Sequence, residues 1–152
     1  MKISIFIALL FFLIPIAHGE VVTETVEYKH GDTILEGYLA YDDSKSGKHP
    51  GVLVVHEWMG LNDYAKMRAR QLADSGYAAF AVDIYGKGVR PKNTKEASEQ
   101  AGIYRGDRQL MRGRVNAGLE VLLNNELCEP SKVAAIGYCF GGGTVLELAR
   151  SG

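Results

Sequence analysis

Apolar residues along this chain fall into two patterns, short continuous runs and longer segments with helical spacing. Two β-rich runs at 21–30 and 33–41 flank a Gly-Asp turn dipeptide and predict a hairpin. Further short apolar runs, typical of strands buried on both faces of a parallel sheet, lie at 51–55, 77–84 and 132–136.

Segments with helical spacing separate these runs, and they lie at 62–75, 94–105, 107–123 and 140–150. The first is capped by Asn62 or Asp63 and ends before Gly76. In the third, Gly113 and Gly118 each disfavour the helix by about 1 kcal/mol. Strands that alternate with helices indicate βαβ units, so we expect an α/β fold with a mostly parallel sheet and helices on both faces.

Composition is that of one globular domain without a linker, with 152 residues of which 47% are hydrophobic and 23% charged. Seventeen basic residues nearly balance eighteen acidic ones, giving a formal net charge of −1. No run of lysine or arginine departs from this balance, so we do not expect a nucleic-acid partner. We expect a monomer.

The first 19 residues have the pattern of a signal peptide. Lys2 precedes an apolar run at 3–14, and Ala17-His18-Gly19 places small residues before a cleavage site at Glu20. An uncleaved membrane anchor is the alternative, but the apolar run is shorter than the ~20 residues that a spanning helix needs. We therefore expect residues 20–152 to form the mature domain, periplasmic or secreted, without a stable membrane anchor.

Export to an oxidising compartment raises the question of a disulfide between Cys128 and Cys139. The predicted strand between them would hold their Cα atoms ~25 Å apart at about 3.3 Å per residue, whereas a disulfide tolerates at most ~7 Å. The two cysteines therefore cannot pair with each other. Cys139 is expected to be a free thiol, and Cys128 is either a buried small hydrophobe or linked to something outside this chain.

The most informative motif, Gly137-Tyr138-Cys139-Phe140-Gly141-Gly142, lies between a predicted strand and a helix. Its spacing is that of the G-x-S-x-G nucleophile elbow, with sulfur in place of oxygen. The following helix would direct free N–H groups at Cys139, and the N–H of Phe140 would stabilise an oxyanion. In the alternative interpretation, the glycines only end a strand and begin a helix around an inert cysteine.

A second cluster, His56-Glu57-Trp58-Met59-Gly60, follows the predicted strand at 51–55. This is where the elbow fold supplies its second oxyanion donor, here the N–H of Trp58. Glu57, at the carboxyl end of a strand, is expected to point into the same crevice as the elbow. The alternative for Glu57 is a solvated loop charge.

Together these clusters resemble the dienelactone hydrolase family of α/β-hydrolases. The matching text is Val-Val-His-Glu57-Trp-Met-Gly-Leu-Asn, Tyr-Ala-Ala-Phe-Ala-Val-Asp83-Ile-Tyr85 and Val-Ala-Ala-Ile-Gly-Tyr-Cys139-Phe-Gly-Gly, and the resemblance extends from about Val26 to the last residue. It implies an α/β-hydrolase fold, no cofactor and no metal, and hydrolysis of a small ester or lactone by attack of Cys139. Glu57 would hold the resting thiol, and an aspartate and a histidine further along the chain would complete the triad.

The chain departs from the family pattern at two places. No histidine follows Cys139, and where a substrate-carboxylate arginine is expected stands Lys87, with Arg90 nearby. Tyr85, Lys87 and Arg90 are the candidate substrate-binding residues, and other esters or lactones stay open as substrates. Because the strand at 132–136 needs a neighbour on each side, we expect a longer chain and an inactive fragment. A non-catalytic small-molecule binding protein on the same fold is the alternative.

Overall fold

The computed structural model describes residues 20–152, so the predicted signal peptide at 1–19 lies outside the described residues. Strands and helices alternate after an initial hairpin. In chain order they are β1 (Val21–His30), β2 (Thr33–Asp42), β3 (His49–Val55), α1 (Asp63–Asp74), β4 (Ala78–Val82), α2 (Thr94–Gly106), α3 (Arg108–Leu123), β5 (Cys128–Gly137) and α4 (Phe140–Ser151).

The strands form one sheet in the order β1-β2-β4-β3-β5. The hairpin is antiparallel throughout, and β2 continues antiparallel onto β4. The three strands β4, β3 and β5 run parallel, so their carboxyl ends meet at one edge of the sheet. This arrangement confirms the predicted α/β fold, and it brings the loop after β3 beside the turn after β5.

Helices cover both faces of the sheet, as predicted. On one face α1 packs Ala65, Ala69 and Ala73 against small and β-branched strand residues. On the other face α3 packs against β4, including Val82, and α4 packs against β3 and β5. Because β4 is buried at every position, it supplies core residues to both layers. Among residues 20–152, no helix is both long and apolar enough to cross a bilayer.

The two glycines that weakened the prediction of α3 lie where this helix approaches the sheet. A Cβ built on Gly118 would lie 3.0 Å from Val82 Cβ, and one built on Gly113 would lie 2.6 Å from His30 Cε1. At Gly118 no side chain fits beside the buried Val82, so close packing explains this glycine, whereas at Gly113 the obstacle is the end of the His30 side chain. Helix α3 also buries Arg114, which donates to His30 O at 3.3 Å and to Thr33 Oγ1 at 2.8 Å.

Strand β5 begins at Cys128, four residues earlier than the predicted start at Lys132. A register shift between Pro50 and Gly51 of β3 accommodates the extra residues of β5, and periodicity alone gives no sign of it. Both cysteines are free, with Cys128 buried and Cys139 exposed. Burial raises the pKa of the Cys128 thiol.

Candidate active site

The turn between β5 and α4 places Cys139 at the tip of a sharp bend. Its backbone has φ 53° and ψ −114°, and within residues 20–152 it is the one residue other than glycine with a positive φ. Such a conformation costs of order 1–3 kcal/mol and persists only where surrounding structure enforces it. A strained, exposed cysteine between a strand and a helix is the geometry of a nucleophile elbow.

Two glycines enforce this bend because no side chain fits at either position. A Cβ on Gly137 would lie 2.9 Å from Gly142 N and closer still to the Gly141 carbonyl. A Cβ on Gly141 would lie 2.7 Å from His56 O and closer still to the Val55 carbonyl. The elbow therefore packs against itself and against the end of β3, which favours the nucleophile interpretation over an inert cysteine.

The two predicted oxyanion donors lie on the two segments that meet here. The N–H of Phe140 begins α4, and the N–H of Trp58 belongs to the loop after β3. Within the described part of the chain, neither N–H donates to another backbone group. That both donors serve an oxyanion beside Cys139 stays a prediction.

A cavity of about 290 Å³ adjoins Cys139 and is wide enough for a small molecule. Helices α2, α3 and α4 and the turn between α2 and α3 form its walls. The guanidinium of Arg105 lies 5.8 Å from the centre of the Phe140 ring, over its face. The lining residues are Arg105, Arg108, Met111, Cys139, Phe140, Gly143 and Glu147.

The model of the dienelactone hydrolase family matches residues 35–152. The chain belongs to the dienelactone hydrolase family. The solved structure of m3DLH is 41% identical to it with a TM-score of 0.85, and a dienelactone hydrolase-like promiscuous phosphotriesterase from metagenomic libraries is 45% identical with a TM-score of 0.84. These matches confirm the α/β-hydrolase fold.

The matched part is about half of these longer proteins. The chain covers 55% of each of the two solved chains, and 88% of this chain is aligned in both cases. The carboxymethylenebutenolidase of Pseudomonas sp. (strain P51) is 29% identical over 113 residues, which are 70% of this chain and 47% of that protein.

His56 directly precedes Glu57 and Trp58 in the chain, so it is the histidine to consider as a base for Cys139. Both of its ring nitrogens already have hydrogen-bond partners. Its Nε2 accepts from the N–H of Ile84 at 3.2 Å, so Nδ1 carries the proton and donates to Glu57 O at 2.5 Å. Burial lowers its pKa to about 4 and keeps the ring neutral. His56 therefore has no nitrogen left to accept a proton from Cys139.

Glu57 is half-buried and lines a narrow crevice on the other side of the elbow, together with Tyr64, Arg68 and Tyr138. Arg68 donates to the hydroxyl of Tyr138 at 2.8 Å, so this crevice borders the residue that precedes Cys139. None of these crevice residues lines the cavity beside Cys139. The role of Glu57 in holding the resting thiol stays a prediction.

None of the three predicted substrate-binding residues lines the cavity beside Cys139, although the ring of Tyr85 packs against that of Phe140 with centroids 5.4 Å apart. Tyr85 is 4% exposed, and its hydroxyl donates to Trp58 O at 3.0 Å. Lys87 is exposed and forms an ion pair with Glu27 of β1. Arg90 donates to Val89 O at 2.8 Å, and its guanidinium lies 3.8 Å from a carboxylate oxygen of Asp83.

The cationic side chains beside Cys139 come instead from the turn between α2 and α3, which sequence reasoning did not single out. Arg105 lies in the last turn of α2, and Arg108 begins α3 and forms an ion pair with Glu147. Glu147 is buried and also accepts from Arg112 at 2.7 Å and from Arg150 at 2.8 Å. Hydrogen bonds from these arginines, that of Arg112 foremost, lower its pKa to about 2.

Proposed function

We propose that the complete protein hydrolyses a small carboxylic ester or lactone with Cys139 as the nucleophile. The observation that carries the proposal is the strained backbone of the exposed Cys139, which lies at the tip of the elbow between β5 and α4. The unpartnered N–H groups of Phe140 and Trp58 support it, since acyl transfer needs two such donors. Membership of the dienelactone hydrolase family supports the same reaction class.

The reaction would proceed in two steps. The Cys139 thiolate attacks the carbonyl carbon, an S–C bond forms, and the resulting oxyanion accepts hydrogen bonds from Phe140 and Trp58. Collapse breaks the C–O bond, and the alkoxide leaves with a proton from the general acid. Water then attacks the thioester, the C–S bond breaks, and the acid product leaves as the thiol is restored.

The proton transfers need a base that residues 20–152 do not supply, because both nitrogens of His56 are occupied. We assign this role to a histidine, oriented by an aspartate, in a longer form of the protein. General base catalysis typically contributes 10²–10⁴-fold. The 152-residue chain by itself is therefore expected to acylate at Cys139 without turning over at an enzyme's rate.

The size and charge of the cavity support a small substrate with an acidic substituent. Its volume is about 290 Å³, and its lining carries Arg105 and Arg108 against the single carboxylate of Glu147. Because Glu147 is already paired with three arginines, the cavity has a net positive charge that would attract a carboxylate. Tyr85, Lys87 and Arg90 would then act outside the acyl-binding cavity.

We also propose that the mature protein is exported to the periplasm or the medium, after cleavage before Glu20. The support is the sequence of residues 1–19 alone. N-terminal sequencing of the protein from fractionated cells tests this, and a protein that retains Met1 in the cytoplasmic fraction would contradict it.

A non-catalytic binding protein is the second candidate function. The observation that favours it is the same pairing of His56, which leaves Cys139 without a base among the described residues. Such a protein would bind an ester in the cavity and leave it intact. A covalent acyl group on Cys139 separates the two functions.

The deciding experiment compares Cys139→Ala and Cys139→Ser in the full-length protein, with Cys128→Ala as the matched control. We expect the first to abolish ester hydrolysis and the second to leave a small remainder, because a hydroxyl needs a stronger base than a thiol does. Mass spectrometry after brief exposure to an activated ester should find the acyl group on the Cys139 peptide. Undiminished turnover by Cys139→Ala would refute the proposal.

A further inference from the structure

The peptide unit between Glu57 and Trp58 carries the N–H that is the second candidate oxyanion donor. Its carbonyl oxygen accepts two hydrogen bonds, from His56 Nδ1 at 2.5 Å and from Gly60 N at 3.2 Å. In a trans peptide the C=O and N–H bonds point in opposite directions. The group that holds the Glu57 oxygen therefore also sets the direction of the Trp58 N–H.

The hydrogen bond from His56 requires one particular tautomer, and the structure provides a cause for it. The N–H of Ile84, in the loop after β4, donates to Nε2 at 3.2 Å, so the proton of the neutral ring resides on Nδ1. With the side chain 2% exposed and the pKa lowered to about 4 by burial, the ring stays neutral at physiological pH.

His56 also contacts the residue that supplies the first donor. Its ring is stacked with that of Phe140, with centroids 5.9 Å apart and an angle of 16° between the planes. Tyr85 packs edge-on against the same imidazole at 4.8 Å, and its hydroxyl donates to Trp58 O at 3.0 Å. His56 and Tyr85 thus hold the peptide units on both sides of Trp58 while His56 packs against Phe140.

We propose that His56, supported by Tyr85, is a positioning residue that orients the Trp58 N–H toward the oxyanion formed at Cys139. It rests on the proposed function, since it requires acyl transfer at that thiol. It gives His56 a role in transition-state stabilisation without any proton transfer to or from the substrate. The same geometry explains why a histidine next to the candidate site is not the general base.

Two variants separate the roles of the two ring nitrogens. His56→Asn places an amide N–H near the position of Nδ1 and preserves a donor for Glu57 O. His56→Gln places its amide near the position of Nε2 and preserves an acceptor for the Ile84 N–H. A side chain that only joins the two loops should tolerate both changes about equally, whereas the positioning role requires the Nδ1 donor.

The assay uses two reactions of the same thiol in a Cys128→Ala background. In acylation by p-nitrophenyl acetate, an S–C bond forms at a carbonyl, an oxyanion develops, and the C–O bond breaks to release p-nitrophenolate. In alkylation by iodoacetamide, an S–C bond forms at a saturated carbon and iodide leaves without an oxyanion. The ratio of the two rates therefore cancels changes in the exposure or ionisation of Cys139.

Removal of one oxyanion donor costs about 10²–10³-fold, so a misdirected donor should lower the acylation-to-alkylation ratio by at least about 10-fold. We expect this loss in His56→Gln and in Tyr85→Phe, and a ratio close to that of the parent in His56→Asn. Equal ratios in the two His56 variants, or an unchanged ratio in Tyr85→Phe, would overturn the inference. Tyr85→Phe alone decides it if neither His56 variant folds.

The parent protein provides the separate test of the proposed function. If its acylation-to-alkylation ratio does not exceed that of N-acetylcysteine, Cys139 has no oxyanion hole and the function itself is wrong. If the parent ratio is high and the variants match it, only the role of His56 and Tyr85 is wrong.

Discussion

Gly141→Ala tests whether close packing against β3 enforces the elbow at Cys139. The added Cβ would lie 2.7 Å from His56 O and closer still to Val55 O, both of them backbone atoms that cannot rotate away. Gly143→Ala is the matched control, because it also lies in α4 and its Cβ would meet nothing within 4 Å.

The difference between the two variants isolates the steric cost. Both replace glycine by alanine in the same helix, so the gain in helix propensity of ~1 kcal/mol is nearly shared. Overpacking of this kind typically costs 1–3 kcal/mol. Gly141→Ala should therefore have a free energy of unfolding about 1–3 kcal/mol below that of Gly143→Ala.

Urea denaturation measures this difference, and iodoacetamide alkylation reports the state of the site. At a slope of about 1–3 kcal/mol per molar urea, the midpoints of the two variants should differ by roughly 1 M. The alkylation rate of Cys139 should change more in Gly141→Ala than in Gly143→Ala, whose methyl group would lie at the cavity beside Cys139 without meeting another residue within 4 Å. Equal midpoints and equal rates would refute the claim that the contact with Val55 and His56 sets the elbow.

Two further predictions follow from burial and charge. The exposed Cys139 should be alkylated well before Cys128, because Cys128 is 0% exposed and burial raises the pKa of its thiol. In urea both thiols should react at similar rates. Similar rates in the folded protein would contradict this prediction. The pKa of Glu147 is lowered from 4.5 to about 2, so its ion pairs stabilise the folded protein above pH 4.5 and lose this effect as the pH falls toward 2. At pH 7 the midpoint of urea unfolding should therefore be lower for Glu147→Gln than for the parent, and this difference should shrink toward pH 2. The control Glu120→Gln, at an exposed position, should have the midpoint of the parent. A difference in midpoint that does not depend on pH would count against the ion pairs.

Most of the fold could be predicted because local patterns and tertiary packing agree. Strands β3 and β4 are apolar and buried on both faces, as their sequences predict, and helix α1 is capped by Asn62, one of the two predicted caps. The expectation that the strand at 132–136 is buried on both faces is wrong for the described residues, because β5 lies at the edge of the sheet and most of its residues are exposed or half-exposed. The predicted start of β5 is wrong because Cys128 and Glu129 pair with His49 and Pro50 of β3 before a register shift. Pairing between distant segments has no local signature, so periodicity does not reveal it.

The glycines of α3 show how a local rule fails for a tertiary reason. Helix propensity counts Gly118 as a weakness, but any side chain there would collide with Val82. A glycine inside an otherwise regular amphipathic helix can indicate close approach to a sheet, and this signal was present in the sequence. The partner across the contact was not, because Val82 lies in another element.

Some residues of the candidate site belong to a sequence motif, whereas others come together only through the fold. The nucleophile and its two N–H donors were predicted at Cys139, Phe140 and Trp58 because each lies within a contiguous motif with a steric rationale. The cavity beside them is lined by Arg105 and Arg108, which reach it from a turn that the motif does not include. The proposed preference for an acidic substrate thus rests on residues whose placement depends on how α2 and α3 pack against α4. For this reason the sequence indicates a candidate nucleophile more readily than the substrate that it would attack.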